Sequence, residues 1–405
     1  MQNVSVILYK RMGLPNSDIA FYTGWFYLPW VIKPLWSPVV DLLKTKRWWI
    51  VVMQAVIAVG LGLVALTIPA PHFVQYSIAF FWLIAFSSAT HDIAADGFYM
   101  LGLDSAGQSF FSGIRSTFYR IAMISAEGLL VIIAGELEFN KIGGVGGSIP
   151  FAWMAAIGIM AILFGFFCIY HVLILPRTEE AVAAVAPEDR NSFLKEFITT
   201  FTSFFKKDHI GAILFFLLIY RFGEAQLLKL ASPFFLDARS VGGLALSTQQ
   251  VGFLKGTVGT LAMVLGGVLG GIVATKRGLG YWLWPMVLAI HLPDAMYVYL
   301  SYAQPENFFV VNICVAIEQF GYGFGFTAYV LFMLYVSQGK HSTAHFALCT
   351  GFMAMGMMVP GMFSGAIQNF FGYQHFFVWV MVATIPGFIA TRLVTIDPEF
   401  GKKKP

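Results

Sequence analysis

Apolar residues occupy this chain in blocks too long for the interior of a soluble domain. Eleven stretches carry few charges over about 20 residues or more: roughly 17–36, 48–68, 73–99, 109–135, 150–176, 209–236, 248–275, 281–303, 307–337, 341–370 and 373–396. A helix rises 1.5 Å per residue, so about 20 apolar residues cross a hydrocarbon layer of roughly 30 Å. Short polar connections separate the blocks. The pattern predicts a polytopic, all-α membrane protein with eleven transmembrane helices.

Composition agrees with that reading. Of the 405 residues, 58% are hydrophobic and 11% charged, against about 25% charged in soluble domains. Cys168, Cys314 and Cys349 lie far apart inside apolar runs, which suggests neither a disulfide framework nor a metal site. No phosphate loop of the GxxxxGK[ST] type is present, so ATP is not the expected energy source. No cofactor, metal, soluble domain or nucleic-acid partner is expected.

Net charge is only +4, but its distribution sets an orientation. With the segment before the first span outside, fourteen basic residues fall on the inner side: Lys44, Lys46, Arg47, Arg177, Arg190, Lys195, Lys206, Lys207, Lys276, Arg277, Lys340 and Lys402 to Lys404. Four fall outside: Lys10, Arg11, Lys141 and Arg239. The positive-inside rule then predicts a cytoplasmic C-terminus.

The longest polar connection, 177–208, separates five spans from six. It divides the chain into an N-terminal bundle (1–176), a cytoplasmic loop (177–208), a C-terminal six-helix bundle (209–396) and a tail (397–405). Secondary transporters are commonly built from two similar halves, and weak internal similarity is present. "NSDIAFYTGWFYLPW" matches "STQQVGFLKGTVGTL", each opening a helix after an outer loop. Each helix ends at a basic turn, "SPVVDLLKTKRWW" or "GGIVATKRGLGYW". A full span precedes the second unit, whereas only "MQNVSVILYKRMGLPN" precedes the first. The expectation is a six-plus-six architecture of twelve spans in which most of the first helix is missing.

Two halves, a charged central loop and basic turns after the second and eighth helices resemble the major facilitator superfamily. Its cytoplasmic signature, G-x-x-x-D-[RK]-x-G-[RK]-[RK], is partly kept from Ser37 through Asp41 to Lys46 and Arg47. A second partial copy runs from Gly271 through Lys276 and Arg277 to Gly278. Ser37 replaces the first glycine in one copy, and the other lacks the aspartate. More specifically, "LWSPVVD" and "SSATHDIAADGF" resemble the AmpG-type muropeptide permeases and their acetyl-CoA transporter relatives, most clearly over residues 17–135. The resemblance implies proton-driven import of an amphiphilic cell-wall fragment across an inner membrane.

Charged residues inside the spans are costly and mark function by default. Asp92 and Asp96 in "THDIAADGF" share one helix face. Arg115, on the next helix, matches Asp92 in depth. Either acid is expected to pair with it, with Lys33 or the basic turn as a further partner for Asp96. Arg120 falls near the midplane, two turns before Glu127, and its planar fork suits an anionic substrate group. "YRFGEAQLLK" places Arg221 and Glu224 three apart near mid-depth, with Lys229 beyond them. Asp294 follows Pro293, and Glu318 precedes Gly321, Gly323 and Gly325. Lys255 is expected to snorkel outward.

The candidates for substrate binding or proton coupling are therefore Asp92, Arg120, Glu127, Arg221, Glu224, Asp294 and Glu318. Those for a cytoplasmic gate are Asp41, Lys46, Arg47, Asp96, Arg115, Lys276 and Arg277. An acid that alternates between a desolvated site and an arginine carries a proton. The chain is expected to be no enzyme but a monomeric, proton-coupled transporter of a glycan or glycopeptide. A carrier of sugar, nucleotide or acyl-CoA, a membrane-embedded acyltransferase and a non-transporting scaffold are the rivals.

Overall fold

The computed structural model describes residues 2–102, 118–139, 141–142, 145–177, 190–339 and 341–402. Thirteen helical runs among them are α1 (Gln2–Arg11), α2 (Asn16–Trp25), α3 (Leu28–Leu42), α4 (Lys46–Thr67), α5 (Phe73–Gly102), α6 (Phe118–Phe139), α7 (Ile149–Ile174), α8 (Arg190–Phe205), α9 (Ile210–Ile219), α10 (Phe222–Leu236), α11 (Thr248–Ala303), α12 (Phe308–Val336) and α13 (Ser342–Leu393). Lys141–Ile142 and Val145–Gly146 form a two-residue antiparallel ribbon.

Eight of the described runs are long and apolar enough to cross a membrane, counting α9 and α10 as one. Two of the eight hold a sharp turn: α11 at Gly278 (φ 78°, ψ 166°) and α13 at Gly372 (φ 71°, ψ 169°). That conformation is open essentially to glycine alone, so each run contains two crossings joined by the tightest of connections. The eight runs thus hold ten crossings. The first predicted span, 17–36, falls on α2 and α3, where Pro34 and Pro38 withdraw backbone donors inside the helix. Helix α1 has ten residues, about 15 Å of rise, and buries Val4 through Tyr9.

The helices group into two compact units. The larger comprises Met1–Leu28, Met123–Ile132 and Thr200–Pro405, the smaller Pro29–Ala122 and Ile133–Thr199.

In the larger unit, α12 lies against α11 at glycine contacts. A Cβ on Gly323 would fall 1.9 Å from the Met263 carbonyl oxygen, and one on Gly266 2.1 Å from that of Phe320. Small residues of this kind let membrane helices approach closely. Phe216, Tyr220, Tyr329 and Phe332 fill the adjoining core. Leu279 N donates to Phe400 O (2.9 Å), so the C-terminal segment covers the turn at Gly278.

In the smaller unit, α4 packs on α5 and α7, around Val40, Ile50, Ile93 and Ala94. Outward-facing positions are large and apolar: Ile162 is 75% and Leu173 76% exposed on α7. Arg47 donates to the carbonyls of Leu175 (3.0 Å) and Val172 (2.5 Å). Its charge therefore sits at the negative end of α7, which is a structural task for a residue proposed from sequence as a gate. Lys46 is buried and donates to Val40 O at 3.2 Å. Its stem runs along α5, where a Cβ on Gly97 would lie 2.8 Å from Lys46 Cε.

Candidate functional site

The span 209–236 is not one helix. It breaks at Tyr220 and Arg221, where Arg221 leaves helical geometry (φ −109°, ψ 21°) between α9 and α10. The Leu217 carbonyl before the break accepts a hydrogen bond from the Tyr329 hydroxyl. Tyr220 donates its own hydroxyl to Gly325 O (3.0 Å). The break turns Arg221 onto the first turn of α10. There its Nε and Nη2 each donate to Glu224 at 2.9 Å, and Nη2 also donates to the Tyr322 hydroxyl at 3.0 Å. The guanidinium lies over the rings of Tyr322 and Phe326, 5.2 and 4.9 Å from their centroids. Arg221 and Glu224 are both buried. Arg221 and Glu224, singled out from sequence by their spacing of three, form a closed two-pronged bridge.

Tyr322 also lines a cavity of about 110 Å³. Its polar lining includes Asn3, Glu127, Lys255, Thr260, Tyr297 and Gln319. Glu127 lies in a widened turn of α6 (Ile124–Leu129) and Lys255 in a similar turn of α11 (Phe253–Gly259). Such π turns occur often at functional sites. The two turns pack on each other, because Gly128 faces Gly256 with no side chain between: a Cβ on Gly256 would stand 2.0 Å from Gly128 Cα. Asn3 Nδ2 donates to Glu127 Oε1 at 2.8 Å. Lys255 Nζ donates to Ser232 Oγ at 2.8 Å.

Glu318 is buried beside this cavity, with both oxygens accepting from Gln319 Nε2 (3.2 and 3.0 Å). Asp294 sits in the 3-10 turn Leu292–Asp294, where Pro293 interrupts the helix. It is 1% exposed, and neither carboxylate oxygen has a hydrogen-bond partner among the described residues. Gly321, one turn after Glu318, lets α12 press on Pro293, so the two acids belong to touching helices.

A second network lies toward the other end of α10. Lys10 Nζ meets Asp237 Oδ1 at 2.6 Å and donates to Asn16 Oδ1 at 2.8 Å. Asn16 Nδ2 in turn reaches Gln368 Oε1 (2.7 Å) and the Tyr373 hydroxyl (2.8 Å), and Tyr373 donates to Asp237 Oδ2 at 2.6 Å. Here α2 and α13 cross closely: a Cβ on Gly365 would lie 2.1 Å from Asn16 O.

In the smaller unit Lys33 Nζ lies 2.6 Å from Asp92 Oδ2. Sequence reasoning assigned Lys33 to Asp96; the lysine instead meets the acid one turn earlier. Arg115 lies outside the described residues, and of Asp41 only the backbone in α3 is described. Arg120 is partly exposed and makes no ion pair or hydrogen bond among the described residues. Lys276 is exposed, while Arg277 donates to the Tyr281 hydroxyl at 2.7 Å. Sequence reasoning missed Asn3, Asn16, Gln319 and Gln368 altogether, although an amide at membrane depth is itself a signal. It counted Lys10 only as an outer charge.

The whole chain superposes on transporters of known structure. Against a crystal structure of the nucleoside transporter NupG the TM-score is 0.68 at 14% identity, covering 97% of this chain and 94% of that one. Against a D-xylose-proton symporter it is 0.67 at 13% identity, covering 99% and 96%. The protein therefore has the two-bundle helical fold of the major facilitator superfamily. It belongs to the BT1 family, which it matches over residues 1–333. Similar sequences include Putative transporter AmpG 4 of Rickettsia conorii (strain ATCC VR-613 / Malish 7), 26% identical over 388 residues, 93% of this chain and 88% of the relative. The Anhydromuropeptide permease of Escherichia coli (strain K12) is 23% identical over 386 residues, 93% and 73% respectively.

Proposed function

We propose that this protein imports a cell-wall muropeptide or related glycan across a bacterial inner membrane, driven by protons, through alternating access. The observation that supports it most is the cavity bordered by Glu127 and Lys255 with Glu318 buried alongside. Acids and bases at membrane depth are kept there unpaired with one another, around a space. A fixed structural bridge needs no such space. The resemblance to a muropeptide permease supplies the substrate class.

Proton carriage falls to acids that no cation holds. Glu224 is locked by Arg221, whereas Glu318 and Asp294 face no cation within 4.0 Å among the described residues. Glu318→Gln is therefore expected to abolish accumulation against a gradient in proteoliposomes and to retain exchange. Counterflow of labelled anhydro-muropeptide measures the exchange, and its uptake under an imposed proton gradient measures the accumulation. Absence of counterflow by well-folded wild-type protein removes the substrate assignment; accumulation by Glu318→Gln removes Glu318 as the carrier.

The excess of basic residues in the turns on one side supports a cytoplasmic C-terminus. The Lys10–Asp237 network then lies at the outer end of α10, two turns beyond Lys229, and serves as an outer latch. A charge-assisted bond contributes about 1.5–3 kcal/mol, so Asp237→Asn should shift the population toward an outward-open form about tenfold or more. In a cysteine-free background, a cysteine at Thr23 should react correspondingly faster with an impermeant maleimide. An unchanged rate excludes the latch.

A further inference from the structure

Lys229 and Lys255 are two lysines that make no ion pair among the described residues. Lys229 on α10 is buried, donates to Thr23 Oγ1 at 2.8 Å, and has the Tyr27 ring 5.4 Å away. Lys255 rests on Ser232 Oγ. Ser232 follows Lys229 by three residues, so the hydroxyl holding Lys255 is one turn along the same face of α10. Neither lysine has a carboxylate within 4.0 Å among the described residues.

The acids nearby are held elsewhere. Asn3 binds Glu127, Gln319 binds Glu318, and Arg221 occupies Glu224. Glu127 shares the cavity with Lys255 and Glu318 borders it, but neither reaches an ammonium. Two lysines gathered at neighbouring turns of α10 in a membrane interior, each on a neutral hydroxyl, are costly as charges unless an anion visits them. The fold also makes room for one stem: a Cβ on Gly361 would lie 3.1 Å from Lys229 Cγ.

We propose that Lys255 on the cavity wall and Lys229, buried on α10 next to the lining residue Leu228, form an oxyanion subsite that takes a carboxylate or phosphate group of the transported molecule. An ammonium has three donors. Each lysine spends one on its hydroxyl and offers the others to the anion, one lysine to each oxygen. Thr23 and Ser232 are the resting partners that remain when the anion leaves. This assignment rests on the transporter reading and adds the charge of the cargo to it.

The test compares binding of anhydro-muropeptide with binding of the same molecule after amidation of its peptide carboxylates, using full-length protein in nanodiscs. Wild type should prefer the acid form about tenfold. Lys229→Met and Lys255→Met should each remove the preference by weakening binding of the acid form more than that of the amidated form, which a merely structural lysine would not do. Lys229→Gln and Lys255→Gln, which keep a donor for the hydroxyl, serve if the methionine variants misfold. A preference that survives in both variants, or none in wild type, overturns the subsite. If wild type binds neither form, the muropeptide assignment falls and inorganic phosphate and citrate become the probes. A rise in unfolding temperature seen with either in wild type and lost in the double variant upholds the subsite. Phosphate alone acting points to a phosphorylated cargo, citrate alone to a carboxylate. Equal behaviour of wild type and variant overturns it.

Discussion

Glu224→Gln is expected to destabilise the protein by about 3–5 kcal/mol and to abolish transport, because it leaves a buried guanidinium without its anion. Arg221 is 7% and Glu224 0% exposed, so water cannot replace the lost carboxylate. An amide offers one acceptor where two are in use, and it turns a donor toward the remaining prong of the arginine. Unfolding temperature in detergent, with the fraction of monodisperse protein, reads the first effect, and counterflow the second. Removing both partners should be milder: Arg221→Met with Glu224→Leu should recover most of the stability without recovering transport. Arg221→Lys should fail nearly as badly as the glutamine variant, since an ammonium cannot fork onto two oxygens and also reach the Tyr322 hydroxyl. A Glu224→Gln protein as stable as wild type would contradict the closed bridge at the break between α9 and α10.

Gly256→Ala should be nearly as severe, for a steric reason. The added methyl would stand 2.0 Å from Gly128 Cα, 2.2 Å from Gly128 N and 2.7 Å from the Glu127 carbonyl carbon. All three are backbone atoms, so no rotamer change relieves the clash and the π turns of α6 and α11 must separate. Overpacking typically costs about 1–3 kcal/mol and sometimes more. The displacement also moves Glu127 and Lys255 across their shared cavity, so counterflow should fall beyond what the lost stability accounts for. Gly271→Ala, farther along α11 with nothing within 4 Å, is the control and should stay within about 0.5 kcal/mol of wild type. Equal effects of the two substitutions would show that the crossing at Gly128 tolerates a side chain.

Much of the architecture was legible in the hydrophobic pattern, because a bilayer permits few solutions. A segment of about 20 apolar residues must satisfy its backbone internally, and helices do so segment by segment. Hence α4, α7 and α12 fall where the runs predicted them. The starts of α2 and of α11 match the internal similarity: α11 opens with Ser247 and Gln250 in reciprocal capping bonds. One connection was legible only as an interruption: Gly372 turns the chain within one residue and leaves no polar loop to see, whereas the turn at Gly278 was marked by Lys276 and Arg277.

Partnership among the charges was legible only where both groups lie close along the chain. Spacing of three put Arg221 near Glu224 even though Arg221 stands at the break before α10. Spacing could not tell that Lys33 meets Asp92 and not Asp96, that Lys255 reaches Ser232, or that Lys10 meets Asp237 across 227 positions. Those choices depend on which helix faces lie together, and that is settled by close approaches such as Gly128 on Gly256 and Gly365 on Asn16. The chain by itself determined a helical membrane protein with ionisable groups at depth, since hydrocarbon thickness and helix rise are local constraints. Tertiary packing alone decided which acids are neutralised, which lysines make no ion pair among the described residues and where a cavity remains, because each depends on atoms brought together from distant segments.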